Sequence, residues 1–222
     1  DFQKKLSTLT FLDPACGSGN FLTETYLSLR RLENEILQEL QGGQMVLGYD
    51  NMNPIQVSIS QFYGIEINDF AVTVAKTALW IAESQMMKET ESIVLMHLDF
   101  LPLKTNAFIH EGNALQVDWE SVIPKYQLSY IMGNPPFVAR AGRTKAKDSS
   151  SKGMLDDTQK TDRLNVFGED LGNVDYVACW FKKAAVFTKN TAIRCAFVAT
   201  DSICQGQQIY PIWKNILQDD IY

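Results

Sequence analysis

The chain has 222 residues, 45% hydrophobic and 11% aromatic, enough to bury the core of one α/β domain and short for two. No apolar run nears the roughly 18 residues that a membrane-spanning helix needs, and the amino end lacks a basic-then-apolar signal, so the reading is a soluble cytoplasmic chain with no membrane partner. A net charge of −6 excludes a phosphate-gripping surface over most of the molecule, although residues 140 to 163 carry seven basic against four acidic side chains, +3 against −9 elsewhere.

Thr8 to Asp13 (TLTFLD) is short, apolar and rich in strand formers, and it breaks at Pro14 and the glycines that follow. This predicts a first strand ending in a tight loop. A helix is expected next, with Leu22, Tyr26, Leu29, Leu32, Ile36 and Leu40 recurring at three- and four-residue steps and Gly42-Gly43 as its stop. Residues 44 to 57 read as a small hairpin insertion. A second strand over Phe62 to Ile67 leads through Asn68, a natural N-cap, into an apolar helix from Phe70 to Met87.

Phe108 to Glu111 gives a third strand and Leu128 to Met132 a fourth, which stops at Gly133. Residues 139 to 165 hold little apolar content and are expected to form a mobile loop. Asp175 to Phe187 reads as a helix and Ile193 to Thr200 as a strand buried on both faces. Gln207 to Gln218 opens a last helix. Strand and helix alternate, which implies an α/β fold with a doubly wound, mostly parallel sheet and ligand crevices at the carboxyl ends of its strands. The four cysteines (Cys16, Cys179, Cys195, Cys204) show no metal or redox spacing and are expected reduced and mostly buried; with only His97 and His110 besides, no metal site is expected.

Two segments carry chemistry. In Asp13-Pro14-Ala15-Cys16-Gly17-Ser18-Gly19-Asn20-Phe21-Leu22, Gly17 and Gly19 allow a sharp turn and close approach to a ligand. A glycine turn alone is equally an ordinary strand-to-helix turn. Leu22 stands where a dinucleotide fingerprint needs glycine or alanine, so a pyrophosphate is disfavoured. The free amides at the helix start would suit a carboxylate such as that of a methionine moiety. Glu66, between Ile65 and Ile67, can accept hydrogen bonds from the vicinal hydroxyls of a ribose. Asn113, before Ala114, reads equally as a turn asparagine or as an amide paired with an adenine edge.

The second segment is Gly133-Asn134-Pro135-Pro136-Phe137, after the fourth strand. An adenine amine is a poor nucleophile because its lone pair is delocalised into the ring. A site that methylates it must accept both amine hydrogens and localise that pair. Asn134 offers a side-chain carbonyl and Pro135 a main-chain carbonyl, Pro135 and Pro136 stiffen the turn, and Phe137 offers a face for an extruded base.

These residues resemble the amino-methylating DNA adenine methyltransferases in which the cofactor motif precedes NPPF. The segments FLDPACGSGNFL, YGIEIN and DYVACWFKKA are most similar to the MmeI-like restriction-modification and phage-defence enzymes. The resemblance covers most of the chain and implies the class I, Rossmann-like fold of S-adenosylmethionine-dependent methyltransferases, ending before its final β-hairpin. It implies S-adenosylmethionine as cofactor, held by Asp13, Pro14, Ala15, Gly17, Gly19, Asn20 and Phe21 at the methionine end, Glu66 and Ile67 at the ribose, and Asn113 and Ala114 at the adenine. It also implies double-stranded DNA with a flipped adenine at Asn134 to Phe137, a bacterial or archaeal cytoplasm, and a target recognition domain and any nuclease domain outside residues 1 to 222. The alternatives are an amine or amide methyltransferase acting on protein or RNA, and a non-catalytic binding module on the same fold.

Overall fold

The computed structural model describes residues 2–43, 54–95, 97–98, 106–138, 155–168 and 174–218. Among these residues five strands, β1 (Phe11–Asp13), β2 (Phe62–Glu66), β3 (Phe108–Glu111), β4 (Tyr130–Gly133) and β5 (Arg194–Phe197), form one sheet in the order β3-β2-β1-β4-β5. All four neighbouring pairs are parallel. The chain moves outward from β1 in one direction and then in the other, so the crevice between the ends of β1 and β4 is the sheet's switch point.

Among the described residues seven helices cover the two faces: α1 (Phe2–Thr8), α2 (Asn20–Gly43), α3 (Asp69–Val94), α4 (Trp119–Val122), α5 (Asp157–Phe167), α6 (Ala178–Thr188) and α7 (Ile209–Gln218). Side chains alternate across the sheet, so Phe11 joins the core under α1, α2 and α3 while its neighbour Leu12 joins the core under α4 to α7. On the first face the strand register stacks aromatic rings in a row. Phe11 lies 5.2 Å from Phe62 and 5.3 Å from Tyr130, its partners on either side.

Several elements depart from the sequence expectation. β1 begins at Phe11 rather than Thr8, because residues 2 to 8 close a short helix with Leu6 buried. The apolar stripe expected on α2 holds at Leu22, Tyr26 and Leu29, but Leu32 and Leu40 are exposed. The buried face drifts instead onto Arg30, Glu33, Asn34 and Leu37. Arg30 pairs with Glu33 and donates to Thr90 on α3 at 2.6 Å, and Thr90 donates to Asn34 at 2.7 Å. Glu33 also accepts the Gln3 side chain at 2.8 Å and the backbone N–H of Gln56 at 2.7 Å, so it ties α1 and the returning chain to α2. The hairpin expected at 44 to 57 lies mostly outside the described residues; 54 to 58 form no strand.

Residues 157 to 165, expected in a mobile loop, belong to α5. Asp156 caps this helix, accepting the Gln159 N–H at 2.7 Å while the Gln159 side chain accepts the Asp156 N–H at 3.1 Å. Its inner side carries buried Asp162 and Phe167. The remainder of that expectation, 139 to 154, lies outside the described residues. β5 is not buried on both faces: Arg194, Cys195 and Ala196 are exposed, since among the described residues it is an edge strand paired with β4 alone. Cys16 and Cys179 are buried as expected, whereas Cys195 and Cys204 are exposed. No described helix is long and apolar enough to cross a membrane.

Candidate active site

The loop after β1 is held by hydrogen bonds from both sides. Asp13, 1% exposed, accepts the Ala15 N–H at 2.9 Å. The Cys16 N–H reaches Ile65 of β2 at 3.2 Å, and the Trp180 indole of α6 donates to the Pro14 carbonyl at 3.1 Å. Burial, with a further push from the nearby Glu66 carboxylate, raises the Asp13 carboxyl to about 7 despite the opposing Ala15 hydrogen bond. Gly19 has φ +84° and a β-carbon there would lie 2.9 Å from the Ala75 β-carbon, so the glycine lets the loop pack closely on α3. Leu22 is fully buried beneath this turn. Asn20 opens α2, and Phe21 beside it is 39% exposed.

Glu66, at the carboxyl end of β2, is no idle surface charge. One carboxylate oxygen accepts the Gly17 N–H at 2.9 Å and the other the Asn68 N–H at 2.9 Å. Each oxygen keeps a lone pair for a further donor. Ile67 beside it is 67% exposed.

After β3, Asn113 proves to be a turn residue and a pocket residue together. Its side-chain oxygen accepts the Leu115 N–H at 2.9 Å, and its amide nitrogen donates to Asp162 of α5 at 2.8 Å. Asp162 is 1% exposed and accepts two more hydrogen bonds, from Gln116 at 2.8 Å and from the Tyr176 hydroxyl at 3.0 Å. Lys183 of α6 donates to the carbonyls of Ala114 at 2.8 Å and Val117 at 2.6 Å, and the Trp119 indole donates to Ala114 at 2.8 Å. The turn from Asn113 to Val117 is thus clamped by α4, α5 and α6.

Gly133 ends β4 at φ +155°, with its α-carbon directly over Asp13; a β-carbon would collide with that carboxylate. Asn134, Pro136 and Phe137 are exposed and Pro135 is buried. Among the described residues no hydrogen bond occupies the Asn134 carboxamide.

These ends surround one cavity of about 450 Å³. The loop after β1 contributes Pro14 and Ala15; the end of β2, Ile65, Glu66 and Ile67; the end of β3, Gly112, Asn113 and Ala114; and the end of β4, Asn134 and Pro136. Asp13, Gly17, Gly19, Asn20, Phe21, Pro135 and Phe137 do not line it. The remaining wall was not foreseen: Asp156, Thr158, Gln159 and Asp162 of α5 and its cap, with Tyr176 from the turn before α6 and Trp180 from its first turn. The capping signal Asp156-x-x-Gln159 was in the sequence; the polar composition around it masked it.

Residues 1–222 match the family described as MmeI, DNA-methyltransferase domain. The chain belongs to that family. DNA methyltransferase A of Bacillus subtilis (strain 168) is 38% identical over 219 residues, covering 96% of this chain and 23% of that protein. The type IIL restriction-modification enzyme MmeI, solved in complex with DNA, superposes with a TM-score of 0.85 at 43% identity over 98% of this chain and 28% of that one. The adenine-specific methyltransferase PglX of Streptomyces coelicolor is 32% identical over 74 residues, 33% of this chain and 5% of that protein. The ATP-dependent enzyme LlaBIII shares the fold, with a TM-score of 0.55 at 14% identity over 94% of this chain and 14% of that one. This MmeI-family domain therefore spans about a quarter of the length of its first two relatives.

Proposed function

We propose that this domain transfers the methyl group of S-adenosylmethionine to the exocyclic amine of an adenine flipped out of double-stranded DNA, in a cytoplasmic restriction-modification or phage-defence protein. Further domains of the same longer chain, outside residues 1 to 222, select the DNA site. The observation that carries the reading is the convergence of Asn134 with Ala15, Glu66 and Asn113 on one cavity at the switch point of the sheet.

The residues present fit the cofactor. Glu66 has an unused lone pair on each oxygen for the two ribose hydroxyls, Ile67 and Ala114 offer apolar surface to a base, and Pro14 and Ala15 of the loop after β1 face the cavity toward the methionine end. The cofactor supplies an already activated sulfonium methyl. Asn134 accepts one amine hydrogen through its side-chain oxygen and Pro135 the other through its carbonyl, which draws the nitrogen lone pair out of conjugation. Pro135 and Pro136 fix these acceptors, so little reorganisation accompanies attack. Phe137, 46% exposed beside them, stacks on the base. No general base is needed before the transfer, because the proton leaves once nitrogen has been alkylated. The DNA and adenine in this reading are supported by the relatives' own descriptions, DNA methyltransferase A and adenine-specific PglX.

The test is calorimetric titration of the intact protein with S-adenosylhomocysteine and, separately, with NAD, followed by methyl transfer to DNA. S-adenosylhomocysteine should bind and NAD should not. Asn134→Ala should abolish transfer to DNA while leaving S-adenosylhomocysteine affinity within a few-fold of wild type. Near-normal transfer by that variant would remove Asn134 from the reaction.

A further inference from the structure

The amide of Asn113 faces a cavity from a turn that two pins hold in one orientation. The Leu115 N–H fixes its oxygen end and the Asp162 carboxylate fixes its nitrogen end, at 2.9 and 2.8 Å. With both pins in place the side chain cannot exchange oxygen for nitrogen, and it keeps one N–H and one oxygen lone pair uncommitted. That remainder complements the edge of an adenine, whose ring nitrogen accepts and whose exocyclic amine donates.

Asp162 is placed for this task by its surroundings. It lies 49 residues beyond Asn113, on α5, and is 1% exposed. Its three donors, Asn113, Gln116 and Tyr176, come from two separate segments and hold both carboxylate oxygens. A buried carboxylate this fully bonded is a rigid acceptor, and removing any one donor loosens it. The hydroxyl of Tyr176 is correspondingly pushed well above its ordinary range, by burial first and by Asp162 second. Asp162 and Asn113 also line the same cavity, together with Gln159 one turn back on the helix.

We propose that Asp162 is a positioning residue for cofactor selectivity: by holding the Asn113 amide in one sense, it makes the pocket prefer an adenine over a base that carries a carbonyl in place of the exocyclic amine. The proposal rests on the cofactor reading above. It adds that helix α5, arriving after the target-base segment, decides which nucleoside the pocket accepts.

The experiment compares S-adenosylhomocysteine with S-inosylhomocysteine by calorimetry on the intact protein. The inosyl compound reverses both edge atoms, presenting a carbonyl and a ring N–H, while leaving ribose and homocysteine unchanged. Wild type should prefer the adenosyl compound by about tenfold or more, the size of a lost buried hydrogen bond. Failure of wild type to bind either compound would overturn the cofactor reading itself, not only the role of Asp162.

Given wild-type binding, Asp162→Asn should lower the preference to within about threefold of unity, because three donors then compete for one oxygen and the Leu115 N–H alone is left to resist turnover of the Asn113 amide. Tyr176→Phe takes one donor from the carboxylate without emptying its site, and should reduce the preference by about threefold in a chain that still folds. In an Asn113→Ala background, Asp162→Asn should change the preference no further, because its effect passes through Asn113. Equal weakening of both ligands by Asp162→Asn, with the preference kept, would reduce Asp162 to a purely structural role and overturn the proposal. An additive loss in the double variant would overturn it too, by showing that Asp162 meets the base on its own.

Discussion

At Gly133 two motifs meet in a single contact. The residue that opens the Asn134-Pro135-Pro136-Phe137 segment packs against Asp13, which opens the glycine loop, and only a hydrogen fits between them. Gly133→Ala should therefore force Asp13 and the β4 end apart and cost about 1–3 kcal/mol, read as a lower midpoint in urea unfolding. Asp13 itself carries a second consequence. Its carboxyl is raised from 3.8 to about 7 by burial, with Glu66 adding to the effect. Between these values the unfolded chain releases the proton while the folded chain keeps it, so the contribution of Asp13 to stability falls as pH rises and is smallest above about pH 7. Asp13→Asn removes that titration and should gain on wild type by up to about 3 kcal/mol on going from pH 5 to pH 8. Parallel unfolding curves at the two pH values, with no change in the difference, would contradict the burial argument.

Among the elements, α5 shows how a local signal can be outvoted by composition. Its residues Asp157–Phe167 include a single strongly apolar pair, Val166-Phe167, beside Leu164, and they follow a polar, charged stretch. What orders them is a capping box at the amino end and the burial of Asp162 and Phe167 against partners far away in sequence. Asp156→Ala should destabilise the helix by about 1 kcal/mol, and because Asp156, Thr158 and Gln159 wall the cavity, it should also weaken S-adenosylhomocysteine binding in the same titration. The reverse error occurred at β5. Its run Ile193 to Thr200 matches a central strand, yet its place at the edge among the described residues leaves most of it exposed. In α2 the apolar stripe gave out where Arg30 and Glu33 turn inward, because an ion pair whose Arg30 also donates to Thr90 and whose Glu33 also accepts the Gln56 N–H can be buried where an apolar side chain would be expected.

For the whole molecule, a net charge of −6 and a DNA substrate are compatible only if the basic side chains are concentrated. Arg140, Arg143, Lys145 and Lys147 follow the Asn134-Pro135-Pro136-Phe137 segment closely in sequence. Replacing all four by serine in the intact protein should flatten the dependence of log DNA affinity on log salt by up to about 3.6, at about 0.9 per phosphate contact. An unchanged slope would place the phosphate contacts on other domains. Composition, strand-helix alternation and two short motifs were enough to determine the parallel sheet and its switch point, and they singled out part of what lines the cavity, Pro14, Ala15, Glu66, Ile67, Asn113, Ala114, Asn134 and Pro136, because these depend on chain-local rules: where a strand must break, which turn needs glycine, and which residues can accept hydrogen bonds. The outer wall was decided only by the tertiary structure. Asp162, Tyr176 and Trp180 reach the cavity through contacts spanning 14 to 166 residues, and their side chains acquire a role only once α5 and α6 have packed over the ends of β1 and β3.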